Sequence, residues 1–346
     1  MRRLQVLAVV PLLCLPIAAC GTTASPSPSP PPPTAAPTAT PTAEPTDTAP
    51  PPVSQRFEFG AEAVVDPALA GFEAEKYINP GAVIEVDGTL HMFANTFSQW
   101  PGRVRVPHLT SDDGVTWTRD EATAALDSED FEMADPGIDV STGYLDDDGT
   151  WVLIFETVSS TSPWQVWRMT AAAPGGPWTV DEEPIVPVGP DGAFDSAGVT
   201  WPSVVRVGDQ WALYDTGLSG SGRGTGVIGV AFSDDGITWT KDEAPVLEAT
   251  ESWEFSALDR PRVASTPSGL VMVYSGLDLK TRGLATSTDG RTWTKLPGPN
   301  IELSDFPLTG GAWDAALLHR NGELEYFLEI GNQPGTKIFR ATLEWP

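Results

Sequence analysis

Short runs of β-prone apolar residues recur from about residue 54 to the end of the chain, each beginning at a turn marked by Gly or Asp. The runs read "GTLHMFANT", "GTWVLIFET", "DQWALYDTG", "SGLVMVYSG" and "GELEYFLEIG". No long amphipathic helical pattern separates them. Runs of this length bounded by turn residues predict short antiparallel strands joined by hairpins. The pattern therefore predicts an all-β domain.

A tryptophan that follows a hairpin turn sets the period of this pattern. The tryptophans of the series are Trp117, Trp178, Trp239, Trp293 and Trp345. Their spacings of 61, 61, 54 and 52 residues define five units, each with room for four short strands. Such repetition predicts a five-bladed β-propeller over residues 54–346. Because the last unit lacks a fourth strand, we expect an N-terminal strand, residues 56–64, to close the ring.

The turn itself reads "SDDGVTW", "SDDGITW" and "STDGRTW" in three of the units. The Asp–Gly pair suits a hairpin in which glycine takes a positive φ, and Ser111 and Asp113 are placed to bond turn backbone groups. Equivalent turns in a propeller are spread around its rim, so their acids do not converge. We interpret the turn as structural, with its tryptophan packed between blades.

The N-terminal residues predict export and anchoring. Arg2 and Arg3 precede an apolar stretch, and "IAAC" ends at Cys20, which resembles a bacterial lipobox. The pattern predicts a signal peptide over residues 1–19 and lipidation of Cys20, hence an exported, cell-surface lipoprotein that contacts the membrane only through its lipid. Residues 20–53 are rich in Pro, Ser, Thr and Ala, which predicts an extended tether.

The charge and the histidine count exclude several classes of partner. The formal net charge of −27 argues against nucleic acid as a partner. The chain has only three histidines, and Cys20 would be the sole cysteine of the mature protein, so we expect no metal site and no cofactor.

The turn "SDDGVTW" and the blade "FDSAGVTWPSVVRVGDQWALYDTG" resemble those of five-bladed glycosidases, glycoside hydrolase families 32, 43, 62, 68 and 130. The resemblance covers essentially all of residues 54–346. It implies that the first residues of the innermost strands converge on a carbohydrate. In families 32 and 43 it implies an Asp on blade one, an Asp on blade two and an acidic Glu on blade three.

Carried onto this sequence, the family pattern is incomplete. Asp135, in "ADPGI", matches the blade-two Asp, whereas Asn79 stands where the blade-one Asp is expected. Blade three has Thr200 and Trp201 in place of the Glu. "NPGAV", which begins at Asn79, is closer to family 130, in which some members use phosphate as the nucleophile.

Cleavage of a glycoside needs a carboxylic acid and a second carboxylate. The predicted catalytic residues are Asp135, Asp259, Glu156 and Asp215. The predicted substrate-binding residues are Asn79, Trp201, Arg260, Trp313 and Asp314. We expect inverting hydrolysis of a neutral oligo- or polysaccharide. The alternatives are a glycan-binding propeller without catalysis and a scaffold that binds another surface protein.

Overall fold

The computed structural model describes residues 55–71, 75–120, 126–131, 137–159, 162–307, 309–332 and 335–345. The predicted signal peptide, Cys20, the tether and Asp135 lie outside these ranges. The described residues contain no helix long and apolar enough to cross a membrane.

The described strands form five antiparallel sheets. The chain begins with β1 (Glu58–Phe59). Blade one contains β2 (Tyr77–Val86), β3 (Thr89–Phe97), β4 (Arg105–Val106), β5 (His108–Ser111), β6 (Thr118–Arg119) and β7 (Leu126–Asp127). Blade two contains β8 (Gly137–Leu145), β9 (Trp151–Val158), β10 (Val166–Ala171) and β11 (Thr179–Val180). Blade three contains β12 (Gly198–Val207), β13 (Gln210–Leu218), β14 (Val227–Ser233) and β15 (Thr240–Lys241).

Blade four contains β16 (Leu258–Thr266), β17 (Gly269–Gly276), β18 (Arg282–Ser287) and β19 (Thr294–Lys295). Blade five contains β20 (Gly311–Arg320), β21 (Glu323–Asn332) and β22 (Gly335–Glu344). Short 3₁₀ helices span Ser128–Asp130, Arg223–Thr225, Ser252–Glu254 and Leu303–Asp305. The predicted five-bladed β-propeller is confirmed.

The N-terminal strand closes the ring, as the sequence predicts. β1 pairs antiparallel with β22, Glu58 opposite Thr342, and so supplies the fourth strand of blade five. It is shorter than the predicted residues 56–64. Just before β1, Arg56 forms ion pairs with Glu302 at 3.1 Å and with Asp305 at 2.5 Å.

The same acid–cation pairing recurs in two other blades. Lys295 of β19 lies 2.6 Å from Glu254, and Lys241 of β15 pairs with Asp195. Each of these cations belongs to the outermost strand of its blade, and each acid lies in the loop before or beside the innermost strand. Arg56 therefore takes the place in blade five that the two lysines take in blades three and four.

The hydrophobic core is divided into five clusters, one between each pair of neighbouring blades. The cluster between blades five and one, for example, joins Phe327 and Ile338 to Ile78 and Met92. Each such buried side chain contributes about 1.5–3 kcal/mol of transfer free energy. The blades are thus held by apolar contact around the whole ring.

The repeated turn is structural, as interpreted from the sequence. In its first copy the Asp113 carboxylate accepts the N–H groups of Val115 (2.8 Å) and Thr116 (2.7 Å), which lowers the pKa of Asp113 to about 2. Trp117 donates to the Gly114 carbonyl and packs edge-on against Phe327 of blade five. Trp293 packs in the same way against Tyr214 of blade three. The turn therefore locks a hairpin and joins two blades.

Candidate active site

A cavity of about 420 Å³ lies at the N-terminal ends of the innermost strands. Its walls come from all five innermost strands, from the loop after β3 and from the two further strands of blade five, β21 and β22. The lining residues are Lys76, Tyr77, Asn79, Phe97, Ser98, Gln99, Trp100, Asp139, Trp201, Arg260, Trp313, Asp314, Glu329 and Thr336.

A β-bulge in each innermost strand lies beside this cavity. The register shifts fall between Asn79 and Ala82 in β2, at equivalent places in β12, β16 and β20, and between Val140 and Thr142 in β8. At two of the bulges, Trp201 (φ 52°) and Arg260 (φ 50°) adopt the left-handed conformation that L residues rarely take. Bulges re-aim side chains, and backbone strain of this kind concentrates at functional sites. Here both bulges direct a large side chain into the cavity.

Arg260 is held in place by three groups. Its Nη1 donates to Asp259 at 2.7 Å, its Nε donates to Asp314 at 3.0 Å, and its Cζ lies 4.0 Å from the centre of the Trp201 ring. Ion pairs and a cation–π contact both fix a guanidinium in a desolvated site. The arrangement links the walls of blades three, four and five.

Arg262 forms the floor below Arg260. Its Nη1 donates to the carbonyls of Trp201 (3.1 Å) and Pro261 (2.8 Å), and its Nε donates to Ala315. It also lines a second cavity of about 220 Å³ on the other side of this floor. Arg262 therefore ties the bulges of three blades together beneath the site.

Asp139 of blade two lines the cavity and is hydrogen-bonded to a chain of two amide side chains from blade one. Asn95 donates to Asn79 at 2.7 Å, and Asn79 donates to the Asp139 carboxyl at 3.3 Å. Burial, followed by the neighbouring acids Asp314 and Glu156, raises the pKa of Asp139 well above its ordinary value. The carboxyl of Asp139 therefore binds a proton more tightly than an exposed aspartate does, in the wall of the cavity.

Two glutamates near Asp139 are also protonated more readily than usual. Burial raises the pKa of Glu329, which lines the cavity, to about 8, and Asp314 adds to this shift. Glu156 also has a pKa of about 8, chiefly because of burial. Glu156 accepts hydrogen bonds from the Thr200 hydroxyl (2.8 Å) and from the backbone N–H of Trp201, so it supports the strained bulge of blade three.

The structure brings all five predicted substrate-binding residues into the wall of one cavity: Asn79, Trp201, Arg260, Trp313 and Asp314. The predicted catalytic residues are placed differently. Glu156 lies behind Trp201 and outside the lining. Asp259 is also outside the lining, because its carboxylate is held between Arg260 and Arg223 at 2.7 and 2.8 Å. Asp135 lies outside the described residues.

Asp215 lies away from the cavity. A Cβ atom added at Gly229 would lie 3.0 Å from both the Asp215 carboxyl and the Phe194 ring. The Asp215 side chain therefore lies near Phe194, in the loop before β12. Its Oδ1 is buried without a hydrogen-bond partner among the described residues. Burial, then Asp195, raises its pKa to about 7. This position gives a catalytic role for Asp215 no support.

Sequence reasoning missed Asp139, although a signal for it exists. Asn79 bonds Asn95 sixteen residues later, and Asp259 is bonded by Ser275 at the same spacing. Asp139 lies opposite Glu156 at a similar separation along the chain, whereas Asp135 precedes this position by four residues. Lys76, Tyr77, Phe97 and Thr336 also line the cavity without a motif that marks them. No cluster of three or more potential metal ligands occurs among the described residues.

The fold is shared with solved structures of glycoside hydrolase-like proteins. A family 117 glycoside hydrolase of the marine bacterium Zobellia galactanivorans is 15% identical, with a TM-score of 0.61 over 84% of this chain and 90% of that protein. A glycosyl hydrolase of Bacteroides ovatus is 17% identical, with a TM-score of 0.63 over 85% and 95%. The β-1,2-mannobiose phosphorylase of Listeria innocua is 12% identical, with a TM-score of 0.58 over 78% and 90%.

No protein-family model matches the sequence, and no curated protein matches it. The comparisons therefore rest on structure. The chain has the five-bladed β-propeller fold of the glycoside hydrolase families 117 and 130.

Proposed function

We propose that this protein is a glycoside hydrolase that acts on a neutral oligo- or polysaccharide. The observation that carries the proposal is the presence of Asp139 and Asp314 in one cavity, on the walls of blades two and five, with the rings of Trp201 and Trp313. Two carboxyl groups are the minimum chemistry for glycoside cleavage, and aromatic rings bind the apolar faces of sugars.

Asp139 is the candidate general acid. Burial and the neighbouring acids raise its pKa and so favour the protonated form, and the Asn79 amide holds its carboxyl in the cavity wall. In the proposed reaction Asp139 gives its proton to the glycosidic oxygen as the bond from the anomeric carbon to that oxygen breaks. A general acid of this kind needs a pKa at or above the working pH.

Asp314 is the candidate base. Arg260 donates to its Oδ1, and the nearer guanidinium nitrogen of Arg262 lies 3.8 Å away, so the Asp314 carboxylate is ion-paired with both cations. Asp314 would accept a proton from the water that attacks the anomeric carbon. The sum of both steps is hydrolysis, which leaves one sugar with a new hydroxyl and the other as a free alcohol. Attack by a separate water predicts inversion at the anomeric carbon.

The names of structural relatives favour glycosidic chemistry of this kind. One is described as a member of a family of mannoside phosphorylases that contains glycoside hydrolases for β-1,2-mannosidic linkages. Phosphate could replace water as the nucleophile in such a site, with Arg260 as the anion-binding group. We favour hydrolysis because the sequence predicts export, and an exported phosphorylase would release its sugar phosphate product outside the cell.

A glycan-binding propeller without catalysis is the second candidate. It is favoured by Asn79, an amide that cannot act as a base, at the position where the resemblance implies an Asp. It is also favoured by Asp259, whose carboxylate is occupied by two arginines. Under this proposal the aromatic rings and Arg260 would retain the sugar, and no bond would be broken.

A glycan array followed by product analysis distinguishes the candidates. We expect the wild-type protein to bind a neutral glycan and to release sugar whose anomeric form, followed by NMR at early times, is inverted. Asp139→Asn should bind the same glycan and release about 10²–10⁴-fold less sugar. Binding without release by the wild-type protein would support the second candidate. Release that requires inorganic phosphate would replace hydrolysis by phosphorolysis.

We further propose that the protein is exported and anchored through Cys20, on the basis of the lipobox-like "IAAC". Labelling of cells with a fatty-acid analogue tests this proposal. The label should appear on the wild-type chain and be absent from the Cys20→Ala variant. Label retained on Cys20→Ala would contradict the assignment.

A further inference from the structure

Three aromatic rings of blade one form a continuous surface that leads out of the cavity. Tyr77 stacks on Phe97 with ring centres 5.5 Å apart and an interplanar angle of 13°. The Trp100 ring follows, 5.2 Å from Phe97. All three residues line the cavity. We name this surface, formed by Tyr77, Phe97 and Trp100, the blade-one ledge.

Trp100 is the exposed end of the ledge. Its exposed fraction is 41%, which is unusual for a large apolar side chain in the described part of this chain. The others that are comparably exposed are Val115, Ile237 and Phe255, and none of them lines the cavity. An exposed indole at the mouth of a concave site is typical of a binding platform, because it presents a large rigid face at a low cost in conformational entropy.

The segment that carries Trp100 is fixed at its far end. Arg103 donates through Nε to Asp127 at 2.9 Å, and the backbone of Val104 bonds Ser128 in both directions. Arg105 pairs with the buried carboxylate of Glu75, directly before the start of blade one. The platform is therefore formed before any ligand arrives, which reduces the entropic cost of binding.

Polar groups stand beside the ledge. The side chains of Lys76, Ser98 and Gln99 are exposed and line the same cavity. Within the described ranges these three side chains make no hydrogen bond. A wholly apolar ligand on the ledge would leave these donors and acceptors without partners. A sugar ring fits both features, because its C–H face covers an indole while its hydroxyls bond the surrounding polar groups.

We propose that the blade-one ledge is a second sugar subsite, which binds the outer ring of an oligosaccharide whose inner ring occupies the cavity. This inference rests on the proposed glycan function and refines it, since it assigns the outer ring of the oligosaccharide to named residues of blade one. The size of the cavity agrees with it. At about 420 Å³ the cavity is at the small end of ligand sites, so a second ring extends to the mouth, where Trp100 lies.

Calorimetric titration of variants with ligands of increasing length tests the proposal. The probes are methyl mannoside, β-1,2-mannobiose and β-1,2-mannotriose, with matched galactose, xylose and arabinose series. In Trp100→Ala the affinity for the two- and three-ring ligands should fall about tenfold further than the affinity for the one-ring ligand of the same series. Trp100→Phe should recover most of this difference, because it keeps an aromatic face.

Phe255→Ala is the matched control, since Phe255 is also an exposed aromatic residue, 54% exposed, and does not line the cavity. It should titrate like the wild-type protein. Equal losses for one-ring and longer ligands in Trp100→Ala, or no loss at all, would overturn the second subsite and leave the proposed function standing. A wild-type protein that binds none of the probes and no glycan on the array would remove both.

Discussion

The guanidinium of Arg260 lies over the indole ring of Trp201, with its Cζ 4.0 Å from the ring centre, and both residues occupy strained bulges on neighbouring blades. Arg206, whose side chain is 35% exposed, makes a similar contact with Trp211 at 3.9 Å. The two contacts share one geometry and differ in burial. They therefore allow the effect of the site to be separated from the effect of the stacked pair itself.

We predict that Arg260→Lys lowers both glycan affinity and stability. Lysine keeps the charge, but it cannot donate to Asp259 and Asp314 at once while it covers the Trp201 ring. Because the Asp259 side chain is fully buried, the free energy of unfolding should fall by on the order of 2 kcal/mol. Arg206→Lys should change it by less than about 0.5 kcal/mol. Equal melting temperatures for the two variants would contradict the assigned role of Arg260.

The proposed activity should fall as the pH rises. Burial raises the pKa of Asp139 well above its ordinary value and raises that of Glu329 to about 8, so both groups lose their protons at a higher pH than exposed carboxyls do. If the proton of Asp139 is transferred to the leaving oxygen, kcat/KM should decline as its carboxyl ionises at alkaline pH. A profile from pH 5 to 10 checks this, and Glu329→Gln should keep the alkaline decline. A rate that rises over the same range would contradict the role of Asp139 as acid.

Asp215→Asn should stabilise the protein at pH 8 and have little effect at pH 4. The folded-state pKa of about 7 lies above the ordinary value of 3.8, so the folded protein binds this proton more tightly than the unfolded chain. The cost of ionising Asp215 is therefore absent below pH 4, grows between pH 4 and 7, and is complete above pH 7. Its removal should raise the free energy of unfolding at pH 8 by on the order of 2 kcal/mol.

Asp113→Asn is a control of opposite sign. The pKa of Asp113 is lowered to about 2 by backbone N–H groups, so its carboxylate stabilises the fold above the unfolded-state value and the amide should weaken the turn at pH 8. Thermal melts of both variants at pH 4 and pH 8 provide the comparison. A destabilised Asp215→Asn at pH 8 would show that its carboxylate has a partner.

Removal of β1 should destabilise the whole ring. Phe57 is buried and lies 5.5 Å from the Tyr326 ring, and β1 is the outermost strand of blade five. A chain that lacks residues 1–60 should lose at least about 3 kcal/mol and should tend to associate through its open edge. Phe57→Ala gives a milder test, with a loss of about 2–4 kcal/mol. A chain that lacks only residues 21–53 should melt like the full protein, and a large loss there would contradict the tether.

The blades and the closure of the ring could be predicted because their signals are local. The serine, aspartate and glycine of each turn bond one another within four residues, so the turn has the same letters wherever it occurs. The last unit lacked a fourth strand, so another part of the chain had to supply it. The β-prone segment not yet assigned to a unit was residues 56–64, before the first unit. The acid–cation pair of blade five was not predictable, because Arg56 and Asp305 are 249 residues apart.

The site was predicted where proline marks a bulge. Pro80, Pro202 and Pro261 lie at bulges in innermost strands, which are edge strands and tolerate proline. Blade two has a bulge between Val140 and Thr142 without a proline, and the similar Asp135–Pro136 pair comes before the strand begins. The blade-two carboxyl was therefore predicted four residues too early, at Asp135, and Asp139, which lines the cavity, was missed. Asp139 lies opposite Glu156 because of the register of β8 and β9, and the local amino-acid sequence does not determine that register.

The position of β1 also sets the order in which the protein can be completed. β1 is among the first parts of the domain to be synthesised, and its partner β22 is the last strand. Until β22 has been synthesised, β1 has no partner. A two-residue strand offers other chains very little backbone to pair with during that interval.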